Sequence, residues 1–247
     1  MGRGDVKPLL AQTRVELAVT LRNGESLLVT LGVPVGTLIF FSLVDVLPAD
    51  GDAVDFLTPG VLALAMLSTA FANLAISTGF DRSYGVLKRL GSTPLGRGRL
   101  VGAKTLATVL LLAIQALVLV PIAFALGWRP DVEAVPLLAA VCLGTVAFCS
   151  MAMLLAGRLT AMVTLAAANA LFVSLLLLSG MVFPLDRLPG VLRGLSRALP
   201  STALTEALHG ALDQSGDVPL RVWPVLGVWA VGAAVLAVNA FRWDPDH

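Results

Sequence analysis

Long apolar runs without a charged side chain dominate this sequence and limit the folds that are open to it. A hydrocarbon core about 30 Å thick needs roughly 20 predominantly apolar residues for each helical crossing. Six runs of about this length contain no Asp, Glu, Lys, Arg or His: Leu27–Val44, Leu57–Phe80, Thr105–Leu126, Val135–Gly157, Ala161–Pro184 and Val222–Phe241. Strands of a membrane barrel would alternate in polarity over about 10 residues, and these runs do not alternate. The sequence therefore predicts an all-α, polytopic membrane protein with six transmembrane helices.

The charged residues indicate which ends of these spans face the cytoplasm. Only 13% of the residues are charged and the net charge is +1, so the chain has no broad basic surface for nucleic acid. Twelve of the 17 basic residues flank the spans on one side: Arg3, Lys7, Arg14, Arg22, Arg82, Lys88, Arg89, Arg97, Arg99, Lys104, Arg158 and Arg242. By the positive-inside rule both termini are cytoplasmic. Arg187, Arg193 and Arg197 fall in a long loop that this topology places outside, where the rule is weak.

Residues 1–26 precede the first span and form a partly amphipathic segment. Leu10, Leu17, Ala18 and Leu21 share one helical face, although Arg14 interrupts it. A helix that lies in the cytoplasmic interface fits this pattern, and a solvated tail that only obeys the positive-inside rule is the alternative. Residues 27–247 then form one transmembrane domain, without room for a soluble catalytic domain.

Small and polar residues within the spans are candidates for helix packing or for a conduit. Gly32 and Gly36 lie one helical turn apart in span one and let another helix approach closely, within the chain or in a second subunit. Asn73, Gln115 and Asn169 can form hydrogen bonds between helices or can line a path through the membrane. The predicted spans contain no ionisable residue, which argues against a proton- or sodium-coupled transporter.

The groups that an enzyme needs are poorly represented in this chain. The two histidines, His209 and His247, form no cluster with cysteine or carboxylate at the spacing of metal ligands. The segment GRLVGAKT, Gly98 to Thr105, lacks the glycine spacing of a phosphate-binding loop. We therefore expect no catalytic residue, metal or cofactor in the chain itself, and nucleotide energy would have to come from another polypeptide.

A basic segment lies between spans two and three. One face of a short helix carries Tyr84, Leu87, Leu90 and Gly91, while Arg82, Lys88 and Arg89 lie largely off it and Pro94 ends it. A short amphipathic helix of this kind fits a groove on a soluble partner. It can equally anchor to anionic lipid, and the residues alone do not separate these two interpretations.

The loop after span five, Phe183–Gly216, carries two apolar stripes at helical spacing. The first consists of Leu188, Val191, Leu192, Leu195 and Leu199, and the second of Leu204, Leu208, Ala211 and Leu212. Backbone at membrane depth must be helical or buried in protein. The pattern therefore predicts two short amphipathic helices that dip into the outer leaflet.

Two segments together resemble the permease subunit of type-2 ATP-binding cassette exporters. They are RSYGVLKRLGSTPLGRGRLVGAK, before span three, and LSGMVFPLDRLPGVLRGLSRALPSTALTEAL, at the end of span five. The matching positions are Gly85, Leu87, Arg89, Leu90, Thr93, Pro94 and Lys104, then Ser179, Gly180, Phe183, Pro184, Leu188, Pro189 and Pro200. The resemblance covers essentially the whole chain in order and spacing. One departure is Asp81 with Arg82, where the family often carries Glu.

The resemblance implies an ATP-driven exporter of a hydrophobic or amphipathic substrate, of the drug or lipid class, in the bacterial inner membrane. A separate nucleotide-binding ATPase would carry ATP and Mg²⁺, and a second permease, identical or related, would complete the complex. The ATPase would dock on a coupling helix, Tyr84–Leu90, through Arg82, Tyr84, Gly85, Leu87, Lys88, Arg89, Leu90 and Pro94. Re-entrant helices over roughly residues 183–212 would form an outer gate with Ser179, Gly180, Phe183, Pro184, Pro189 and Pro200. An ion-coupled secondary transporter and a membrane scaffold are the alternatives.

Overall fold

The computed structural model describes residues 3–43, 53–86, 97–181, 185, 189–213 and 217–240, and these residues contain helices and no strand. The helices are α1 (Arg3–Arg22), α2 (Gly24–Leu43), α3 (Ala53–Met66), α4 (Leu74–Ser83), α5 (Arg97–Ala125), α6 (Ala134–Arg158), α7 (Ala161–Leu178), α8 (Gly190–Ser196), α9 (Pro200–Leu212) and α10 (Val222–Ala240). A π-helical stretch, Leu67–Asn73, joins α3 to α4 without a break. The all-α prediction is confirmed.

Five helical segments of the described residues are long and apolar enough to cross a membrane. They are Val54–Ser83, Gly98–Ala125, Ala134–Arg158, Ala161–Leu178 and Val222–Asn239. They coincide with predicted spans two to six, and the chain is a multi-pass membrane protein. Predicted span one falls in α2, whose apolar part, Thr30–Leu43, is shorter within the part of the chain that the structure describes.

Two predicted span boundaries differ from the helices. Span three was predicted to begin at Thr105, whereas α5 begins at Arg97 and carries Lys104 inside it. An uncharged run ends at a lysine by definition. Lys104 can nevertheless lie inside the helix, because Glu16 and Asp81 neutralise its charge. Span five was predicted to reach Pro184, whereas α7 ends at Leu178 and Gly180 follows with φ +77°. Pro184 itself lies outside the described residues.

Helix α6 is the centre of the bundle, and α4, α9 and α10 pack against it. Its buried face is made of small residues such as Ala140, Gly144 and Ala147, which let neighbouring helices approach closely. At Gly144 an added Cβ atom would lie 2.9 Å from a methyl carbon of Leu204. A side chain at this position would therefore require the Leu204 side chain of α9 to shift.

The helix that forms span two changes its winding half-way along. π-helical hydrogen bonds run from residue i to i+5, and such stretches are often found at functional sites. Here the stretch Leu67–Asn73 directs Thr69 towards α5, and Thr69 Oγ1 donates a hydrogen bond of 3.1 Å to Gln115 Oε1. The sequence analysis did not predict this irregularity.

Candidate functional site

A buried lysine joins three helices at the end of the bundle that carries the basic segment. Lys104 Nζ of α5 lies 2.9 Å from Glu16 Oε2 of α1 and 2.9 Å from Asp81 Oδ2 of α4, and the lysine side chain is only 1% exposed. A buried charge without a partner is strongly destabilising. Two carboxylates meet this one ammonium group and hold the ends of α1, α4 and α5 together. We call these three residues the Lys104 cluster.

Helix α1 packs along the first turns of α5. Thr13 is 3% exposed, and its Oγ1 lies 3.4 Å from the carbonyl oxygen of Ala103. Gly102 leaves room for the side chain of Leu9. The predicted apolar face of α1 points elsewhere, since Leu10 is 48% and Leu21 is 37% exposed. Exposed apolar side chains of this kind are what an interfacial helix needs.

Arg82 fastens the end of α4 to the end of α6. Its Nη1 donates hydrogen bonds of 3.2 Å to the carbonyl oxygens of Ala156 and Leu159, and the residue is 5% exposed. The last carbonyl groups of a helix lack partners within the helix and attract cations. The sequence analysis named Arg82 among the docking residues, and in the structure its guanidinium group is buried against the end of α6.

The chain leaves this anchored end in a tight turn. Tyr84 follows α4 with 74% of its surface exposed, and its ring stacks on Phe80 with ring centroids 6.0 Å apart. Gly85 has φ +72°, a conformation that glycine adopts at little cost. The other predicted docking residues lie outside the described residues: Leu87, Lys88, Arg89, Leu90 and Pro94.

A second tight turn ends α7 at the other end of the bundle. Ser179 Oγ donates to the carbonyl oxygen of Leu176 at 2.8 Å and accepts a hydrogen bond from Met181 N at 3.1 Å. Gly180 supplies the positive φ of +77°. Gly60 of α3 lies directly against the Met181 carbonyl group, where a side chain would clash with backbone. The turn is thus fixed from two sides.

Helix α9 carries polar side chains that bind the end of α7. Ser201 Oγ donates to the Leu175 carbonyl oxygen at 3.2 Å, and Thr202 Oγ1 donates to that of Leu178 at 3.0 Å. Both hydroxyl groups satisfy carbonyl groups that the end of α7 leaves free. Pro200 is buried at the first turn of α9, and Pro189 is exposed just before α8. Phe183 and Pro184 lie outside the described residues.

The two helices predicted after span five are present as α8 and α9, but α9 is not amphipathic in its surroundings. Almost every residue from Pro200 to Leu212 is buried. His209 is half-buried, with Nδ1 2.9 Å from the Thr205 carbonyl oxygen and Nε2 3.0 Å from that of Phe56. Burial lowers the pKa of His209 below its ordinary value, against the opposing effect of these two carbonyl groups. Helix α9 is thus an internal element of the bundle.

The three polar residues proposed for a conduit have different surroundings. Gln115 is 3% exposed, and its Nε2 donates 2.8 Å to the Thr30 carbonyl oxygen of α2. Asn73 borders a small polar pocket beside the Lys104 cluster. Asn169 is exposed on α7 and bonds only within its own helix, Nδ2 to the Leu165 carbonyl oxygen at 3.0 Å. Gln115 is therefore a link between α2, the π-helical stretch and α5.

A family model described as ABC-2 type transporter matches residues 9–212 of the chain. The chain belongs to the ABC-2 type transporter family. The match runs from α1 to the end of α9 and includes both segments on which the resemblance rested. No curated protein matches the chain. As an ABC-2 permease it is the membrane subunit of a transporter, and permeases of this kind work together with ABC ATPases.

Sequence reasoning missed the link between α1 and the Lys104 cluster in this ABC-2 permease. Lys104 was matched only as part of a motif, and Glu16 was not singled out. A signal was present, because Asp81 is the only acidic residue from 80 to 105 and Glu16 the only one from 6 to 22. Isolated acids beside apolar segments suggest a partner, but the sequence does not say which basic residue that partner is.

Proposed function

We propose that this permease is the membrane subunit of an ATP-driven exporter whose ATPase docks on the segment Tyr84–Leu90. The observation that supports the proposal is the anchoring on both sides of that segment. Before it, Asp81 and Arg82 fasten α4 to α5 and α6; after it, Lys104 fastens α5 to α1 and α4. A docking segment between two anchored helix ends can transmit force, whereas a lipid anchor needs no such attachment.

The mechanism follows from these attachments. The partner ATPase binds ATP and Mg²⁺, and closure of its nucleotide sites moves the docking segment. Because Arg82 binds the last carbonyl groups of α6 and Lys104 binds α1 and α4, the movement reaches four helices together. Packed helices respond by shifting between discrete arrangements. This chain supplies the lever and the path, and the ATPase supplies the energy.

Two permeases, identical or related, pair above the ATPases in the bacterial inner membrane, with both termini cytoplasmic. The distribution of Lys and Arg supports this orientation. A pairing surface is offered by α2, where Gly32 and Gly36 are exposed and a Cβ atom at either would find no neighbour within 4 Å among the described residues. The intrachain contact considered for these glycines is thus not made within that part of the chain.

The transported substrate is hydrophobic or amphipathic, of the drug or lipid class. The lysine within the membrane helices, Lys104, is engaged by two carboxylates. The interior towards the other end of the bundle is lined by Leu, Val, Ala, Met and Trp side chains. Such an interior favours apolar cargo, because transfer of an unpaired charge into it would be costly.

The experiment measures ATP turnover and substrate efflux by the permease reconstituted in liposomes with its candidate ATPase. The variant Leu87→Asp with Leu90→Asp is expected to insert normally but to lose the ATPase or its coupled turnover. The control, Leu220→Asp, places the same kind of charge in the connection before α10, where this residue is 84% exposed, and keeps both activities.

Two results would contradict this proposal. In the first, the ATPase remains bound to the Leu87 and Leu90 variant with unchanged turnover, and the basic segment is then a lipid anchor. In the second, the permease moves substrate without any ATPase and follows an imposed proton or sodium gradient. The chain would then be an ion-coupled transporter.

A further inference from the structure

A large apolar cavity opens in the half of the bundle away from the Lys104 cluster. Its volume is about 490 Å³, and α3, α5, α6, α9 and the connection between α5 and α6 surround it. Pockets for drug-sized molecules have volumes of about 300–1,000 Å³. The cavity plays no part in the anchoring of the docking segment, and its apolar lining is the one on which the proposed substrate class rests.

The cavity has a buried floor and an exposed apolar rim. Floor residues Leu119 and Leu208 are each 1% exposed, and Met66 is 5% exposed. On the rim, by contrast, Phe124 is 54% and Leu138 is 64% exposed. In a bilayer these rim residues face acyl chains, so the cavity is open sideways to lipid between α5 and α6. A concave floor this deep suits a small molecule better than the convex side of a neighbouring helix.

The rest of the lining restricts the chemistry of an occupant. The described residues around the cavity include no charged side chain, and the amide of Gln115 is already bonded to Thr30 and Thr69. Apolar cavities of this kind stay dry and take up apolar molecules. The hydroxyl oxygen of Thr145 is itself buried beneath the cavity surface, so the contacts open to an occupant are apolar.

We propose that this cavity binds the apolar part of a single small molecule from the bilayer. That part lies against Met66, Leu119 and Leu208. The occupant packs against α9 on one side and against α5 and α6 on the other. Binding to this cavity does not require the ATPase. Failure of the docking proposal would therefore not disprove this site, and failure of this site would not disprove the docking proposal. A resident lipid-like molecule and the transported cargo have the same chemistry here.

The experiment uses the full-length permease in lipid nanodiscs and a long-chain alcohol that carries a photoreactive diazirine. Labelled peptides identified by mass spectrometry are expected to fall in residues 109–124 and 137–145. Leu119→Trp fills the cavity and is expected to reduce this labelling about tenfold. Ala116→Leu, a smaller filling change, gives the same result in weaker form if the tryptophan variant does not fold. Leu177→Trp, on an exposed face of α7, is the control that leaves labelling unchanged.

Four further outcomes decide the proposal as a whole. Native mass spectrometry that finds a molecule retained from the membrane identifies the occupant as a resident lipid, and competition by a transported compound identifies it as cargo; both support the site. Labelling spread evenly over α5, α7 and α10, and insensitive to Leu119→Trp, overturns it. So does a Leu138→Cys variant that forms a disulfide-linked dimer and excludes the probe, because the occupant is then a second copy.

Discussion

Lys104 shows how a single buried charge organises the end of the bundle. Its ammonium group is 1% exposed, while Glu16 and Asp81 keep 21% and 34% of their side chains exposed to surroundings. The two acids can therefore become hydrated when the lysine is removed, but the lysine cannot when the acids are removed. The stability of the cluster should consequently depend on which partner is lost.

We predict an order of stabilities for variants of this cluster. Glu16→Gln with Asp81→Asn leaves the ammonium group buried without a counter-charge and is expected to cost about 3 kcal/mol or more. Lys104→Met leaves two partly exposed carboxylates and is expected to cost about 1–2 kcal/mol. The triple variant should recover most of the larger loss. Melting temperatures in detergent give the order, and a double variant that melts above Lys104→Met would contradict it.

His209 makes the stability of α9 depend on pH. Burial lowers the pKa of His209 in the folded protein, whereas the unfolded value is about 6.5. The unfolded chain therefore binds the proton more readily, and stability falls as the pH drops below about 6.5. We expect the melting temperature to fall between pH 7.5 and pH 5.5, and to fall less in His209→Gln. His247→Gln, which removes the other histidine, is the control; an equal fall in all three proteins would contradict the assignment.

At the scale of elements, α9 and α2 differ in how much of their surface the rest of the bundle covers. Helix α9 is enclosed, with an apolar side against α6 and hydroxyl groups that bind the end of α7. Helix α2 has an open face, on which Val33 is 50% and Phe40 is 57% exposed. An enclosed helix such as α9 tolerates few substitutions. A helix with an open face, such as α2, can contact a partner without rearrangement of the subunit.

The open face of α2 leads to a prediction about pairing. Gly36→Leu adds a side chain where nothing described lies within 4 Å, and leucine favours a helix by nearly 1 kcal/mol over glycine. We expect an unchanged or higher melting temperature of the subunit but loss of the permease dimer in mass photometry. Gly232→Leu, at another open glycine on α10, is the matched control and keeps the dimer. A dimer that survives in both variants places the pairing surface elsewhere.

At the scale of the whole molecule, the two ends of the bundle are built differently. The end with the basic segment is held by charged and polar side chains of α1, α4, α5 and α6 around Lys104 and Arg82. The opposite half is apolar and contains the cavity beside Thr145. A rigid end and an adaptable apolar half suit a transporter in which force enters at one end and the cargo is handled in the other.

The sequence predicted the helices of this protein because lipid imposes a simple rule. Uncharged runs of about 20 residues must be helical in a bilayer, and five of the six predicted spans coincide with helices that can cross. The turns at Gly85 and Gly180 belong to the two motifs, and both glycines have positive φ. The family itself was also recognisable, since its motifs are local in the chain.

Contacts between distant residues were decided only by the tertiary structure. The partners of Lys104 come from positions 88 residues before it and 23 residues before it, and no local pattern states that they meet. The sequence alone presents Arg82 as a surface cation. Only the tertiary structure shows that it lies beside the carbonyl groups of α6. The cavity is bounded by residues of α3, α5, α6 and α9, which are far apart in the chain. The helical spacing of apolar residues follows from the local backbone. Which charged side chains neutralise each other, and where a cavity remains, depend on how whole helices pack.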